Sequence, residues 1–171
     1  MNSVEQHRSE GPATVSCMII TVSDTRNKET DTSGQLMISL LQEAGYTIIQ
    51  YVIVKDDYDD VRELIYKASM NQDIQAVLLS GGTGISPRDT TYEAVSSILD
   101  RKLPGFGEIF RFLSFTEDIG SAAIMSRATA GTVGTTAVFS MPGSKGAVKL
   151  ALERIIIPEL RHVIKEIHKK S

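Results

Sequence analysis

Apolar runs alternate along this chain with stretches that repeat apolar residues every three or four positions. Val15 to Val22, VSCMIITV, is near-continuously apolar, as expected for a strand covered on both faces. After the polar loop SDTRNKETD, Leu36, Leu40, Leu41 and Ala44 make one stripe of a helix over about Ser33 to Ala44, and Gly45 stops it. Tyr46 to Val54 is rich in β-branched residues and predicts a second strand. The acidic loop KDDYDD leads into a helix with Val61, Leu64, Ile65 and Ala68 on one face. Asp60, three residues before Glu63, reads as its acidic cap. Gln75 to Leu79 is the third strand, and Tyr92, Val95, Ile98 and Leu99 mark the next helix. RKLPGFGE reads as a turn-rich break, followed by short helices over Glu108 to Ser114 and Ile119 to Arg127. Strands follow at Ala130 to Val133 and Thr136 to Ser140. A helix then carries Ala147, Leu150, Ala151 and Ile155, and Pro158 starts or kinks a last one ending near His168.

This alternation predicts an α/β fold with a mainly parallel sheet, helices on both faces and right-handed crossovers. In such sheets ligands bind beyond the carboxyl ends of the strands. Loops 23–32, 55–60, 80–91 and 141–146 all leave those ends. They are predicted to share one cleft, beside a reversal of strand order near the first and third strands.

The bulk properties narrow the class of function. A chain of 171 residues, 42% hydrophobic, suits one globular domain, placed at residues 14–171. Residues 1–13 are polar, lack the apolar centre of a signal peptide and predict a flexible tail. A net charge of -3 gives no electrostatic case for nucleic acid or an anionic membrane, and no apolar stretch approaches a membrane span. The single cysteine, Cys17, excludes an internal disulfide and suits a reducing cytoplasm.

Candidate chemistry concentrates at SGGTGISPRDTTYEAV, from Ser80 to Val95. The order is strand, glycine turn, helix start. Glycines allow a sharp turn that brings several N–H groups close to an anion, and the following helix aims its free N–H groups at the same place. Arg88 can pair with phosphate and Asp89 can hold a magnesium ion. The spacing is neither that of a Walker loop nor that of a Rossmann fingerprint. A glycine turn after a strand is often only a tight loop, but the Arg88-Asp89 pair beside it favours phosphate. Met141-Pro142-Gly143-Ser144 repeats the design after a second strand.

Four segments in this order, GGTGISPRDTTYEA, LPGFGEIFR, SRATAG and MPGSKGA, resemble the MoaB/Mog family of molybdenum cofactor biosynthesis. The openings TVSDTR and DTSG point to its B branch. The resemblance runs from Val15 to about Pro158. It implies a three-layer α/β/α sandwich assembled as a homotrimer or hexamer, and a molybdopterin-binding domain. It also implies a nucleotidyltransferase activity, in which the terminal phosphate of molybdopterin attacks the α-phosphate of ATP and pyrophosphate leaves. Asp56 and Asp89 match the two aspartates central to that chemistry, as catalytic residues and ligands of Mg2+. Asp56 is one of several acidic residues in its loop, and the resemblance alone singles it out. Both aspartates are expected in surface loops. The amides of Gly81, Gly82, Thr83 and Gly84, with Arg88, would hold phosphate. Gly143, Ser144 and Gly146 would form a second concave turn for the other ligand, nucleotide or pterin.

The resemblance further implies cytoplasmic partners among other molybdenum-cofactor enzymes. The alternative is a non-catalytic molybdopterin carrier, which needs the cradle but not two metal-holding carboxylates. Two departures stand out: Tyr92 and Lys145 occupy positions where the family pattern has proline. Arg127 is open to either phosphate binding or a subunit contact. Ser23 and Asp24 read as turn formers, and Arg88 as an equal partner for Asp89. Phe106, Phe110, Phe112 and Phe115 suit core or trimer packing better than ligand stacking.

Overall fold

The computed structural model describes residues 3–169. Among them, β1 (Ser16–Val22), β2 (Thr47–Val54), β3 (Ala76–Ser80), β4 (Arg101–Lys102), β5 (Thr129–Val133) and β6 (Thr136–Met141) form one sheet. The strand order is β2-β1-β3-β6-β5-β4. The first four strands in that order run parallel, whereas β5 lies antiparallel to both β6 and β4. From β1 the chain moves outward to β2 and then returns to β3 on the other side. The order therefore reverses between β1 and β3, as the sequence predicts, and the crevice of a parallel sheet opens there.

The helices are α1 (Ser3–Ser9), α2 (Thr32–Glu43), α3 (Tyr58–Met70), α4 (Thr91–Ile98), α5 (Pro104–Glu117), α6 (Lys145–Ala151) and α7 (Ile157–Ile167). Alternate residues of each strand face opposite sides, so each central strand serves two cores. Cys17, Ile19, Leu78 and Phe139 pack with Met37 and Leu41 of α2, Phe106 and Phe110 of α5, Val148 of α6 and Leu160 of α7. Met18, Ile20, Leu79 and Val138 pack with Val61 and Ile65 of α3 and Ala94 and Val95 of α4. This two-sided burial makes β1 and β3 read as unbroken apolar runs, and it gives the three-layer α/β/α architecture.

Four expectations change. The predicted break at Pro104 to Gly107 is the first turn of α5, where a proline without N–H costs the helix nothing. Asp57, not Asp60, caps α3: its carboxylate accepts the Asp59 and Asp60 amides, each at 3.0 Å. The two-residue edge strand β4 carries no periodicity that a sequence reading can detect. Where a loose tail is expected, Ser3–Ser9 is helical and Arg8 bonds Glu159 of α7, Nε to Oε1 at 2.8 Å. The first two residues of that tail lie outside the described ones. No helix among the described residues is long and apolar enough to cross a membrane.

Candidate functional site

The chain leaves β3 into the glycine turn with one amide already used. Gly81 N–H donates to Met141 O at 3.0 Å, extending the β3–β6 ladder. The expectation that this amide binds phosphate is therefore corrected: its donor belongs to the sheet. Gly81 serves close packing instead. A Cβ on Gly143 would lie 3.2 Å from Gly81 Cα, so the two glycine turns touch each other. Gly82 then turns the chain with φ +66°. The N–H groups of Gly82, Thr83 and Gly84 meet no acceptor among the described residues. These three amides remain free at the turn.

Both predicted carboxylates flank this turn. A Cβ on Gly82 would lie 2.6 Å from Asp56 Oδ2, and one on Gly84 would lie 2.7 Å from Asp89 Oδ2. Asp56 is not a surface residue, being 6% exposed. Its Oδ1 accepts Thr90 N–H at 3.1 Å and the Thr90 hydroxyl at 2.7 Å. Those bonds aim the carboxylate and leave Oδ2 toward the turn. Asp89 is half-buried. Beside them Thr91, fully buried, has a hydroxyl with no partner among the described residues.

Arg88 lies near the turn but pairs neither with it nor with Asp89. Its Nε donates to Asp24 Oδ2 at 2.9 Å. Asp24 Oδ1 in turn accepts Asp56 N–H at 3.1 Å. The Arg88 guanidinium, and after it the Asp56 amide, hold the Asp24 carboxyl below the usual aspartate range. Asp24, which reads from sequence as a turn former, thus ties loops 23–32, 55–60 and 80–91 together. Ser23 does form the turn, accepting Arg26 N–H at 3.1 Å.

The second turn is held from the same side. Arg26 Nη1 donates to Gly143 O at 3.2 Å and stands 3.5 Å from Asp31 Oδ1. Asp31 is fully buried and accepts the Tyr51 hydroxyl at 2.5 Å and Gly34 N–H at 3.0 Å. Ser144 Oγ caps α6, accepting Ala147 N–H at 3.2 Å, so its lone pairs are partly used within the chain. Gly146 lies against Asp118, 3.2 Å from a would-be Cβ to Oδ2, rather than against the cradle. The structure therefore joins Gly143 to the cradle and leaves Gly146 at its margin.

Sequence reasoning left Arg127 open between phosphate and a subunit contact. Its guanidinium donates to carbonyls of the cradle itself: Nε to Thr83 O at 3.3 Å, and Nη2 to Asp89 O at 3.2 Å and to Gly84 O. Nη1 bonds Glu93, whose carboxyl it holds below the usual glutamate range. The Tyr92 ring lies under the guanidinium, 5.0 Å from its centroid. Next to Arg127 opens a hollow of about 400 Å³ lined by Tyr92, Lys102, Arg111, Ser126 and Thr129. No group of three or more His, Cys, Asp or Glu among the described residues is placed to hold a metal by itself.

Residues 18–162 match the family described as "Probable molybdopterin binding domain". The chain is 60% identical over 167 residues to molybdenum cofactor biosynthesis protein B of Bacillus subtilis (strain 168), covering 98% of each chain. A crystal structure of a molybdenum cofactor biosynthesis protein B superposes with a TM-score of 0.91 at 51% identity, over 94% of this chain and 100% of that one. The tungsten cofactor synthesizing protein MoaB from Pyrococcus furiosus superposes with a TM-score of 0.82 at 37% identity, over 92% and 99%.

Proposed function

The chain belongs to the MoaB/Mog family of molybdenum cofactor biosynthesis proteins, with its molybdopterin-binding domain, and from that membership we propose that its cleft adenylylates molybdopterin with Mg-ATP. One observation carries the reading: two carboxylates, from separate loops, lie against a single turn whose three amides are free. Free successive amides of a glycine turn suit phosphate oxygens. The carboxylates suit a hydrated magnesium ion, which is bound through one or two carboxylates plus substrate phosphates rather than by a closed protein cage. Asp56 Oδ2 and Asp89 would hold that ion, which would neutralise phosphate charge.

On this reading the amides of Gly82, Thr83 and Gly84 orient the triphosphate. The hollow of about 400 Å³ beside Arg127 would give room for the pterin. An oxygen of the molybdopterin phosphate forms a bond to the α-phosphorus of ATP. The bond from that phosphorus to the bridging oxygen breaks, and pyrophosphate leaves with the electron pair. The protein's contribution is positioning and electrostatics, which suffice for phosphoryl-type transfer.

Assembly as a homotrimer or hexamer belongs to the same proposal. Phe106 and Phe110 of α5 are buried, whereas Phe112 and Phe115 are 64% and 57% exposed. Ile109, Ile119, Ile124 and Met125 in the same stretch are exposed as well, and exposed apolar side chains gathered in one segment suit a protein contact.

Incubation with ATP, magnesium and molybdopterin tests the activity. Adenylylated pterin and pyrophosphate are the expected products. Pterin binding without either product would leave the carrier function in its place.

A further inference from the structure

We propose that Arg127 is the positioning residue of the phosphate turn: it sets the direction of the Gly84 amide and, through Thr90, of the Asp56 carboxylate, without touching the ligand. The proposal rests on reading that turn as an anion cradle, and it concerns how the cradle is built. Guanidinium is planar, with five N–H donors in a fixed fork. Nε and Nη2 of Arg127 supply the donors for Thr83 O, Gly84 O and Asp89 O, and Nη1 bonds Glu93. Four donors are thus spent inside the protein, so Arg127 is poorly placed to serve as a direct phosphate ligand.

The consequence follows from peptide geometry. In a planar trans peptide the carbonyl of one residue and the N–H of the next point in opposite directions. Holding Thr83 O toward Arg127 therefore turns Gly84 N–H away from it. Holding Gly84 O does the same to Ile85 N–H. Holding Asp89 O sends Thr90 N–H the other way, where it meets Asp56 Oδ1 at 3.1 Å. One side chain fixes three peptide planes, one of which aims the Asp56 carboxylate. Without it, peptides flanked by Gly82 and Gly84 are free to rotate, and a rotated peptide offers a carbonyl oxygen to an anion.

The ring of Tyr92 supports the same geometry from below, lying under the Arg127 guanidinium at 5.0 Å. Tyr92 and Glu93, consecutive at the start of α4, hold the guanidinium on one face and one edge. Lysine in place of Arg127 keeps the charge but loses both the fork and the flat face.

Three variants, Arg127→Lys, Arg127→Ala and Tyr92→Ala, test the assignment in the full chain. Circular dichroism and light scattering are expected to match the parent protein. In the ligand-free state the Thr90 amide should exchange hydrogen about ten- to a hundredfold faster in Arg127→Lys, the span set by losing hydrogen bonds to a charged group. Inorganic pyrophosphate should bind more weakly by a similar factor in both Arg127 variants, and by less in Tyr92→Ala. Millimolar guanidinium ion should restore much of the affinity in Arg127→Ala and leave the parent protein unchanged, a rescue that a merely structural role would not give. Parent-like Thr90 exchange and pyrophosphate affinity in Arg127→Lys would overturn the assignment. A parent protein that bound no pyrophosphate would instead overturn the phosphate reading of the turn, while Thr90 exchange would still decide whether Arg127 positions it.

Discussion

Replacing Gly82 by alanine tests the cradle through stability, independently of any ligand. The position has φ +66°, a left-handed conformation that costs an L-residue about 1–2 kcal/mol. The added Cβ would lie 2.6 Å from Asp56 Oδ2 and would collide with the Thr91 hydroxyl. Neither neighbour can swing into water, since Asp56 is 6% and Thr91 0% exposed. Overpacking at such a site costs a further ~1–3 kcal/mol. The expected loss is therefore about 2–5 kcal/mol, a large share of the roughly 5–15 kcal/mol that stabilises a domain. Gly120 is the internal control: its φ is +60°, but a Cβ there meets nothing within 4 Å. Gly120→Ala should cost only the backbone part, about 1 kcal/mol. Urea unfolding followed by circular dichroism gives both values under one set of conditions. If Gly82→Ala proved no less stable than Gly120→Ala, the packing of Asp56 and Thr91 over the turn would be wrong.

Asp89→Asn should abolish adenylyl transfer while keeping pterin affinity and stability, read by product formation beside a binding titration. Asp56→Asn should lose transfer as well and also unfold more easily, by about 1–3 kcal/mol, because a buried acceptor of two bonds is altered. Acid should destabilise the fold through Asp31: burial alone would raise its carboxyl, but the Thr21 and Tyr51 hydroxyls, the Gly34 amide and Arg26 leave it below the ordinary value. A depressed folded-state pKa gives stability that is complete above about pH 4 and is lost as pH falls through the folded value, so Asp31→Asn should flatten that acid limb in pH-dependent melts. Phe112→Glu should lower the mass measured by light scattering toward a single chain, with unchanged circular dichroism; an unchanged mass would remove α5 from the contact.

What could be read from the sequence follows the range of each interaction. β1 and β3 are legible because burial on both faces writes itself into consecutive residues. The antiparallel turn from β5 to β6 had a local signal, Gly134 in a two-residue connection after Val133, which marks a tight hairpin. Arg127 and Asp24 had none. Their partners lie 38 to 44 residues away for the Arg127 carbonyls, and 32 and 64 away for Asp24. Only the closing of the sheet brings them together. Resemblance supplied Asp56, yet the position of its carboxylate depends on Thr90, in a loop that meets it across the switch point. Gly81 shows the opposite limit: its place inside the motif suggests a phosphate contact, although its amide completes the ladder to β6.

A turn that binds an anion through amides must also dispose of its carbonyls, and here both glycine turns pass carbonyls to arginine, while Gly82 O accepts Thr91 N–H at 3.2 Å. Arg127 takes three carbonyls around the first turn, and Arg26 takes that of Gly143 in the second. Each arginine is matched by a carboxylate, Glu93 for one and buried Asp31 for the other. Arg88 is matched by Asp24. Arg127, Arg26 and Arg88 are therefore largely neutralised within the protein, while Asp56 and Asp89 remain beside the amides. Free amides carry only partial charge. On the proposed reading, a polyphosphate placed on this turn meets two carboxylates, while Arg127, Arg26 and Arg88 are already paired. The chain's own charges thus call for a divalent cation, and ATP affinity should depend on magnesium more steeply than affinity for a monophosphate ester. Equal affinity for ATP with and without magnesium would mean that Asp56 and Asp89 do not face the phosphates at all.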